Sequence, residues 1–342
     1  MRILLIAPPW LPVPPVAYGG TEVVVDQLAQ GFAAAGHDVL LCTTGDSTCP
    51  VERRWIYPES QGILAGTDVE LRHIRYAYEV ADQFDIVHDH TVCGPLQAGS
   101  LTHTPVVTTN HGLFNAEMLT IYRAISLRVP IIAISHSQAR SADGVPIASV
   151  IHHGIDVARF PFGAQAGDYS LFLGRMNETK GVHRAARIAR EAGERLVIAA
   201  KMREPDEYRY FEEAVRPLLT DRVVFVGEVG GTEKLTLLAN ARALVNPITW
   251  PEPFGLVMIE ALACGTPVLA YPSGAAPEIV RDGVTGFLCA DEEQMAARLS
   301  DVDGLERAAC RQSVIDHFST ERMVAEHFAL YESVLSRAMV AA

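Results

Sequence analysis

The sequence predicts an α/β protein of two doubly wound domains, and three observations carry that reading. Short β-branched runs alternate with amphipathic helical stretches, the alternation occurs twice along 342 residues, and 49% apolar composition is enough for two cores. In the first series residues 3–7 make a buried strand and 21–35 an amphipathic helix. Further strands follow at 39–42, 86–88, 106–109 and 131–134, with a helix at 115–127. The second series starts after Gly154-Ile155-Asp156, with strands at 170–173, 196–199, 223–226, 243–246 and 267–270. Helices near 182–191, 206–219, 234–239 and 256–264 separate them. Such strands imply parallel sheets covered on both faces, with ligands at the carboxyl ends of the strands. From about residue 292 the chain is helical, and Leu330, Val334 and Leu335 give its last helix an apolar face. The expected division is an acceptor-side domain over 1–157, a ligand-holding domain over 158–318, and a helix over 319–342 packing back toward the first domain. A ligand would then sit in the crevice between domains.

Charge narrows the class of function. The formal net charge is −13, and both halves are acidic: residues 1–160 carry 9 basic and 15 acidic groups, residues 161–342 carry 19 and 26. No basic arm exists for tracking nucleic acid, and membrane contact is expected to be peripheral at most. Arg outnumbers Lys 25 to 3, so each lysine is worth individual attention. The six cysteines form no CxxC and read as reduced thiols. The opening apolar run breaks at Pro8-Pro9, short of a signal peptide, and no stretch approaches the ~20 apolar residues of a membrane span. A cytoplasmic protein is expected.

The most specific segment is Pro251-Glu252-Pro253-Phe254-Gly255-Leu256-Val257-Met258-Ile259-Glu260-Ala261-Leu262-Ala263-Cys264-Gly265-Thr266-Pro267. A strand ends at Asn246, a proline-rich turn follows, and a helix opens near Gly255. The free N–H groups of that helix start are an anion site with no side chain in the way. Glu252 precedes the helix and Glu260 lies about two turns inside it, on the same crevice if the helix is regular. Two carboxylates flanking a phosphate-binding helix end suit a ligand with hydroxyls on both sides of a diphosphate. A second segment, Phe172-Leu173-Gly174-Arg175-Met176-Asn177-Glu178-Thr179-Lys180-Gly181, carries two cations five residues apart across a strand-to-helix turn. Arg175 offers a planar fork and Lys180 a point charge to a pyrophosphate.

Two further loops come from the first half. Tyr18-Gly19-Gly20-Thr21-Glu22 joins the first strand to the first helix, where glycines let the backbone approach a ligand. Thr109-Asn110-His111-Gly112 ends a later strand. His88-Asp89-His90 puts two histidines on the same side of a strand end, but no third and fourth ligand is arranged near them, so a metal is not expected. Asp301-Val302-Asp303 falls between helices and reads as a chance acidic pair.

The 251–267 segment resembles the E-x7-E signature of retaining glycosyltransferases of the two-Rossmann GT-B architecture, particularly glycosyltransferase family 4, and the likeness covers nearly the whole chain. The resemblance implies that Glu260 bonds the ribose hydroxyls of a nucleotide-diphosphate sugar. Glu252 would hold a sugar hydroxyl, with backbone groups of Phe254, Gly255 and Leu256 beside sugar and phosphate. Arg175 and Lys180 match the element that neutralises the diphosphate leaving group, and Gly19 and Gly20 the loop touching donor phosphate and acceptor. His111 falls at the active-site histidine, which lies against the transferred sugar in a positioning role. Val226-Gly227-Glu228-Val229 falls where backbone reads the base, with Val229 the contact. Asp89 is carried as an acceptor-side contact, and the loops 8–17, 48–66 and 90–99 as the acceptor pocket.

Departures from the family pattern are informative. In Val150-Ile151-His152-His153-Gly154-Ile155-Asp156 histidines replace a Pro-Asn pair, which puts that Asn's role in doubt. In Ser273-Gly274-Ala275-Ala276-Pro277-Glu278 the second glycine is Ala275, which would tighten the sugar subsite. Lys201 replaces a glycine and either reaches the sugar donor or is solvated. The expected activity is transfer of a hexosyl unit from a nucleotide-diphosphate sugar to a hydroxyl of a small-molecule, glycan or lipid-linked acceptor. A UDP-sugar is favoured over GDP-mannose, with no cofactor and no metal. The rivals are an epimerase or hydrolase of the same fold, a non-catalytic sugar-nucleotide-binding partner subunit, and a phosphorylase that would need a cofactor-bearing lysine.

Overall fold

The computed structural model describes residues 1–17, 19–62 and 66–341, and side chains as far as residue 338. Tyr18 of the Gly-Gly loop, and residues 63–65 within the expected acceptor loop 48–66, lie outside the described residues. The chain forms two compact units, Met1–Gly154 with Thr320–Ala342, and Ile155–Ser319.

The first unit is a seven-stranded sheet of parallel pairs: β1 (Arg2–Ile6), β2 (Asp38–Cys42), β3 (Glu52–Arg54), β4 (Ile86–Asp89), β5 (Val106–Thr109), β6 (Ile131–Ala133) and β7 (Ile147–Val150). Their order is β3-β2-β1-β4-β5-β6-β7. Residues 3–6 of β1 are wholly buried because helices cover both faces of the sheet, which is why the strand reads as an unbroken apolar run. Helix Gly20–Ala34 returns from β1 toward β2. Helix Thr320–Ala341 belongs to this unit: Thr320 donates to Gln27 at 2.7 Å and Tyr331 packs on Phe32, ring centroids 5.4 Å apart.

The second unit repeats the plan with β8 (Ser170–Arg175), β9 (Leu196–Lys201), β10 (Val223–Gly227), β11 (Leu244–Asn246), β12 (Val268–Ala270) and β13 (Gly286–Leu288), in the order β10-β9-β8-β11-β12-β13. The helix expected at 206–219 is an α-helix only over Pro205–Tyr210. It widens into a π turn at Phe211–Val215 and closes in a 3₁₀ turn at Arg216–Leu218, where Pro217 has no N–H to continue the ladder.

Both sheets are therefore doubly wound. In each the strand order reverses once, between β1 and β4 and between β8 and β11, and a crevice opens at the carboxyl ends of those pairs. The loops after β1 and β4 hold Gly19-Gly20 and His90. The loops after β8 and β11 hold Lys180 and Glu252. Among the described residues no helix is long and apolar enough to cross a membrane.

Candidate functional site

In the second unit two loops meet at the switch point. Arg175 ends β8, in register with Lys201 on β9. The chain then makes a 3₁₀ turn, Glu178–Lys180, capped by Asn177, whose side chain accepts from Lys180 N at 3.0 Å. Gly181 follows so close to the β11 loop that a Cβ there would lie 2.5 Å from the Pro247 carbonyl oxygen. This contact sets Lys180 against the loop after β11. Its ammonium pairs with a carboxylate oxygen of Glu252 and lies 5.1 Å from the centroid of the Trp250 ring.

Glu252 is fixed through its backbone. Its N–H donates to Trp250 O at 2.8 Å and its carbonyl accepts from Ala275 N at 3.0 Å. Gly274 makes this possible: its φ is +58°, and a Cβ would lie 2.4 Å from both Glu252 N and Glu252 O. Gly274→Ala is therefore expected to displace the 251–256 turn and cost about 2 kcal/mol or more, read as a lower urea midpoint. An unchanged midpoint would show that the turn tolerates the methyl group. Ala275, the residue expected to tighten a sugar subsite, is wholly buried.

Helix Leu256–Ala263 opens from Gly255, whose φ of +96° only glycine adopts freely. Phe254 is buried against Phe318, ring centroids 6.0 Å apart, leaving mainly backbone on the open side of the turn. Met258 N bonds back to Gly255 O at 3.0 Å, so the N–H groups of Leu256 and Val257 are those left for an anion. Glu260 is the fifth residue of this helix, nearer its start than the expected two turns. It is nearly buried and accepts from Lys234 Nζ at 2.7 Å. Lys234 lies on helix Gly231–Asn240, which follows β10 and the buried Val229. The two signature glutamates are thus held by two different lysines from two different loops.

Arg175 is held from the other side. Its Nε donates to Glu207, a buried residue of helix Pro205–Tyr210 whose other oxygen accepts from Arg203 N at 2.7 Å and Glu204 N at 3.1 Å. Burial pushes the Glu207 carboxyl up, but those N–H groups and the Arg175 guanidinium outweigh it and keep it below its ordinary value. Lys201 is not solvated: it is 5% exposed, 3.6 Å from Glu207 and 3.8 Å from Glu204. Every lysine of the chain therefore pairs with a carboxylate beside these loops. Sequence reading missed Lys234 and Glu207. The scarcity of lysine was the available signal for Lys234; Glu207 carried none.

In the first unit Gly19 caps helix Gly20–Ala34 after β1, and Glu22 in its first turn is buried, its carboxyl pushed up to about 7 by that burial. His111 follows β5. Gln138 secures its loop by donating to Asn110 O at 2.9 Å and Gly112 O at 2.6 Å. The His111 ring bonds His90 Nδ1 at 2.9 Å and stacks on His153, centroids 5.3 Å apart. Burial, with the charge of His327, holds His111 down to about 3, so it is a neutral imidazole at pH 7.

The His-Asp-His stretch resolves differently from its sequence reading. Asp89, carried as an acceptor-side contact, is wholly buried, with one oxygen taken by Tyr78 OH at 2.9 Å and the other by Thr91 N at 2.8 Å. Burial raises its carboxyl to about 6. His88 bridges Tyr331 OH at 2.6 Å and Thr109 Oγ1 at 2.8 Å. His153 and His327 join this buried set from distant parts of the chain. Among the described residues no group of three or more His, Cys, Asp or Glu is arranged to hold a metal ion. Asp303 takes two nitrogens of Arg242 at 2.8 and 2.9 Å and Asp301 pairs with Arg298 at 2.9 Å, so the 301–303 acids serve as ion-pair partners.

Residues 158–306 match the family model for glycosyl transferases group 1, and residues 18–159 match that for glycosyltransferase family 4. The chain is 30% identical to a glycogen synthase of Mycobacterium tuberculosis, across 92% of this chain and 86% of that one. It is 22% identical to the N-acetyl-alpha-D-glucosaminyl L-malate synthase of Bacillus anthracis, across 93% and 94%. Among solved structures it superposes on AviGT4, a glycosyltransferase of avilamycin A biosynthesis, with TM-score 0.76, 27% identity and 98% of each chain covered. A sucrose-phosphate synthase from Thermosynechococcus elongatus shares the fold at TM-score 0.84, 23% identity, and 98% and 99% coverage.

Proposed function

The chain belongs to glycosyltransferase family 4, the group 1 glycosyl transferases, and on that premise we propose that it moves a hexosyl unit from a nucleotide-diphosphate sugar to an acceptor hydroxyl with retention of configuration. The observation that carries the finer reading is the set of paired charges at the β8–β11 switch point: Lys180 with Glu252, Lys234 with Glu260, and Arg175 with Glu207.

Each pair has a task in that reaction. Glu260, oriented by Lys234, accepts from the ribose hydroxyls. Lys180 exchanges Glu252 for a diphosphate oxygen, which frees Glu252 to accept from a sugar hydroxyl. Arg175, with Glu207 behind it, brings a second cation to the diphosphate, and the N–H groups of Leu256 and Val257 a third source of positive potential. Negative charge on the departing diphosphate grows in the transition state, so groups fixed in advance against it accelerate bond cleavage. This compensation supports a reaction without a divalent cation; the rate is expected to be unchanged in EDTA. The acceptor is assigned to the first unit, where His111, held down to about 3, is too weak a base to abstract a proton at pH 7 and suits positioning. UDP-hexoses are the first sugar donors to test.

Glu260→Ala is expected to raise the KM for the sugar nucleotide about 10- to 100-fold and change kcat less than about threefold, because a ribose contact is made equally in ground and transition states. Lys234→Met is expected to give a smaller rise in the same constant. Steady-state kinetics decides: a fall in kcat with KM unchanged would remove Glu260 from the ribose.

A further inference from the structure

His90 and His111 meet in the first unit with one hydrogen to share. His90 follows β4, is buried, and is tied by its backbone N–H to the Ile6 carbonyl of β1 at 2.9 Å. His111 follows β5 and is partly exposed. His90 Nδ1 and His111 Nε2 lie 2.9 Å apart, so one of these nitrogens carries the hydrogen and the other accepts it. Burial holds both rings below their ordinary value, His111 to about 3. Each is therefore a neutral imidazole at pH 7, with one N–H and one bare nitrogen.

The direction of this hydrogen bond follows from the far side of His90, whose Nε2 is buried without a hydrogen-bond partner. If His111 donated, His90 would carry its hydrogen on Nε2 and bury an unsatisfied N–H, the rarer arrangement in folded chains. If His90 donates from Nδ1, its Nε2 is a bare nitrogen, and the chain holds another of that kind. His73 Nε2 lies 2.9 Å from the Ala7 carbonyl, which can only accept, so His73 donates from Nε2 and keeps a bare, unpartnered Nδ1 in the interior. His90 is therefore the donor, and His111 carries its own hydrogen on Nδ1. Among the described residues that Nδ1 has no hydrogen-bond partner and, unlike His90 Nε2, it is not buried. His153 sets the plane of the His111 ring, stacked on it with 23° between the planes.

We propose that His90 is a positioning residue for sugar transfer: it locks His111 in the tautomer with hydrogen on Nδ1, so that His111 meets the ligand as a hydrogen-bond donor to a hydroxyl oxygen. This role rests on the reading of His111 as a residue of sugar transfer. A locked donor needs no change of tautomer as the transition state forms, and it leaves no bare nitrogen on the ligand side to take a proton.

Long-range proton–nitrogen correlation NMR of the full chain, labelled with nitrogen-15 histidine, reads the tautomer at pH 7 without any substrate; His111→Gln identifies the His111 signal. The expected result is His111 with Nδ1 protonated and Nε2 bare. In His90→Leu the lock is gone, and His111 should show both tautomers or the opposite one. Its kcat should fall at least about tenfold, with the KM for the sugar nucleotide within about threefold. His90→Asn places an amide N–H close to where Nδ1 stood, so it should keep the tautomer and hold kcat within about threefold of the parent chain. Nε2 protonated in the parent chain would overturn the proposal, even where His90→Leu fails to fold. So would an unchanged tautomer in His90→Leu, a changed tautomer with unchanged kcat, or His90→Asn as slow as His90→Leu. The expected tautomer in a parent chain that transfers from no sugar nucleotide would overturn the role in transfer and the reading of the site, and leave the lock itself standing.

Discussion

Replacing Arg175 or Lys180 by alanine is expected to lower the rate of sugar transfer about 10²- to 10³-fold each, the magnitude lost when one preorganised group facing transition-state charge is removed. The structure predicts different signatures for the two. Arg175→Ala leaves Glu207 with its two backbone N–H donors and Lys201, so the fold survives and the loss concentrates in kcat. Lys180→Ala also strips Glu252 of its partner, and a mostly buried carboxylate without a counter-ion draws its neighbours out of place. Its KM for the sugar nucleotide should therefore rise together with the fall in kcat. Arg175→Lys is expected to recover little, because an ammonium cannot bond Glu207 and a phosphate in the geometry of a fork. Single-turnover kinetics on the three variants reads these differences. Transfer and binding intact in both alanine variants would remove the diphosphate assignment.

The second large effect is loss of the first unit in mild acid. His73, His88, His90, His111, His153 and His327 are all held below their ordinary value, first by burial, His111 to about 3 and His73 and His327 to about 4. Their surroundings offer hydroxyls and carbonyls, Tyr331, Thr109 and the Met323 carbonyl, and the cation Arg322 acts on both His153 and His327. The unfolded chain takes up these protons near pH 6.5 and the folded chain does not, so stability falls as pH drops below 6.5. At pH 5 His73, His111 and His327 each cost about 2 kcal/mol, and His88, His90 and His153 act in the same direction. Two acids oppose this. Glu22 and Asp89, raised to about 7 and about 6, bind protons first in the folded state and return about 4 kcal/mol between them by pH 5. His73, His111 and His327 together outweigh that return, and the other three deepen the loss, which is large beside the stability margin of a domain. The second unit has one such histidine, His183, held at about 4. Hydrogen exchange from pH 7 to 4 should show protection lost from β1, β4 and β5 near pH 5 while β8 and β11 keep theirs. Simultaneous loss in both units below pH 4 would contradict the histidine account.

How much of this was legible in the sequence follows from where the forces act. Central strands such as β1 and β9 are apolar throughout because both faces are covered, and their runs stand out. The strands missed, β3, β7 and β13, lie at sheet edges. Glu52-Arg53-Arg54 is polar because an edge needs no continuous apolar run, and Gly286 opens β13 where a Cβ would lie 1.9 Å from Val268 O. The local geometry of the candidate loops was legible because turn geometry is local: Gly174 to Gly181 and Glu252 to Glu260 each fold as one segment. Their partners were not. Lys234 reaches Glu260 across 26 residues and Glu207 reaches Arg175 across 32, and only the packed sheet brings them together. Asp89 is a strand-end acid whose two oxygens are taken by Thr91 of its own loop and by Tyr78, partners that the sequence did not disclose.

The central claim is that the charges around β8 and β11 form a sugar-nucleotide site, and thermal unfolding with a panel of UDP-, GDP- and ADP-linked hexoses tests it most directly. A ligand that binds only the folded chain and is present at about 100 times its Kd adds about 2.7 kcal/mol, or roughly 5–10 °C in a unit of this size. The prediction is a rise of that order with the sugars of one base, greatly reduced in Glu260→Ala and Lys180→Ala. No rise with any nucleotide sugar, or a rise undiminished in both variants, would contradict it.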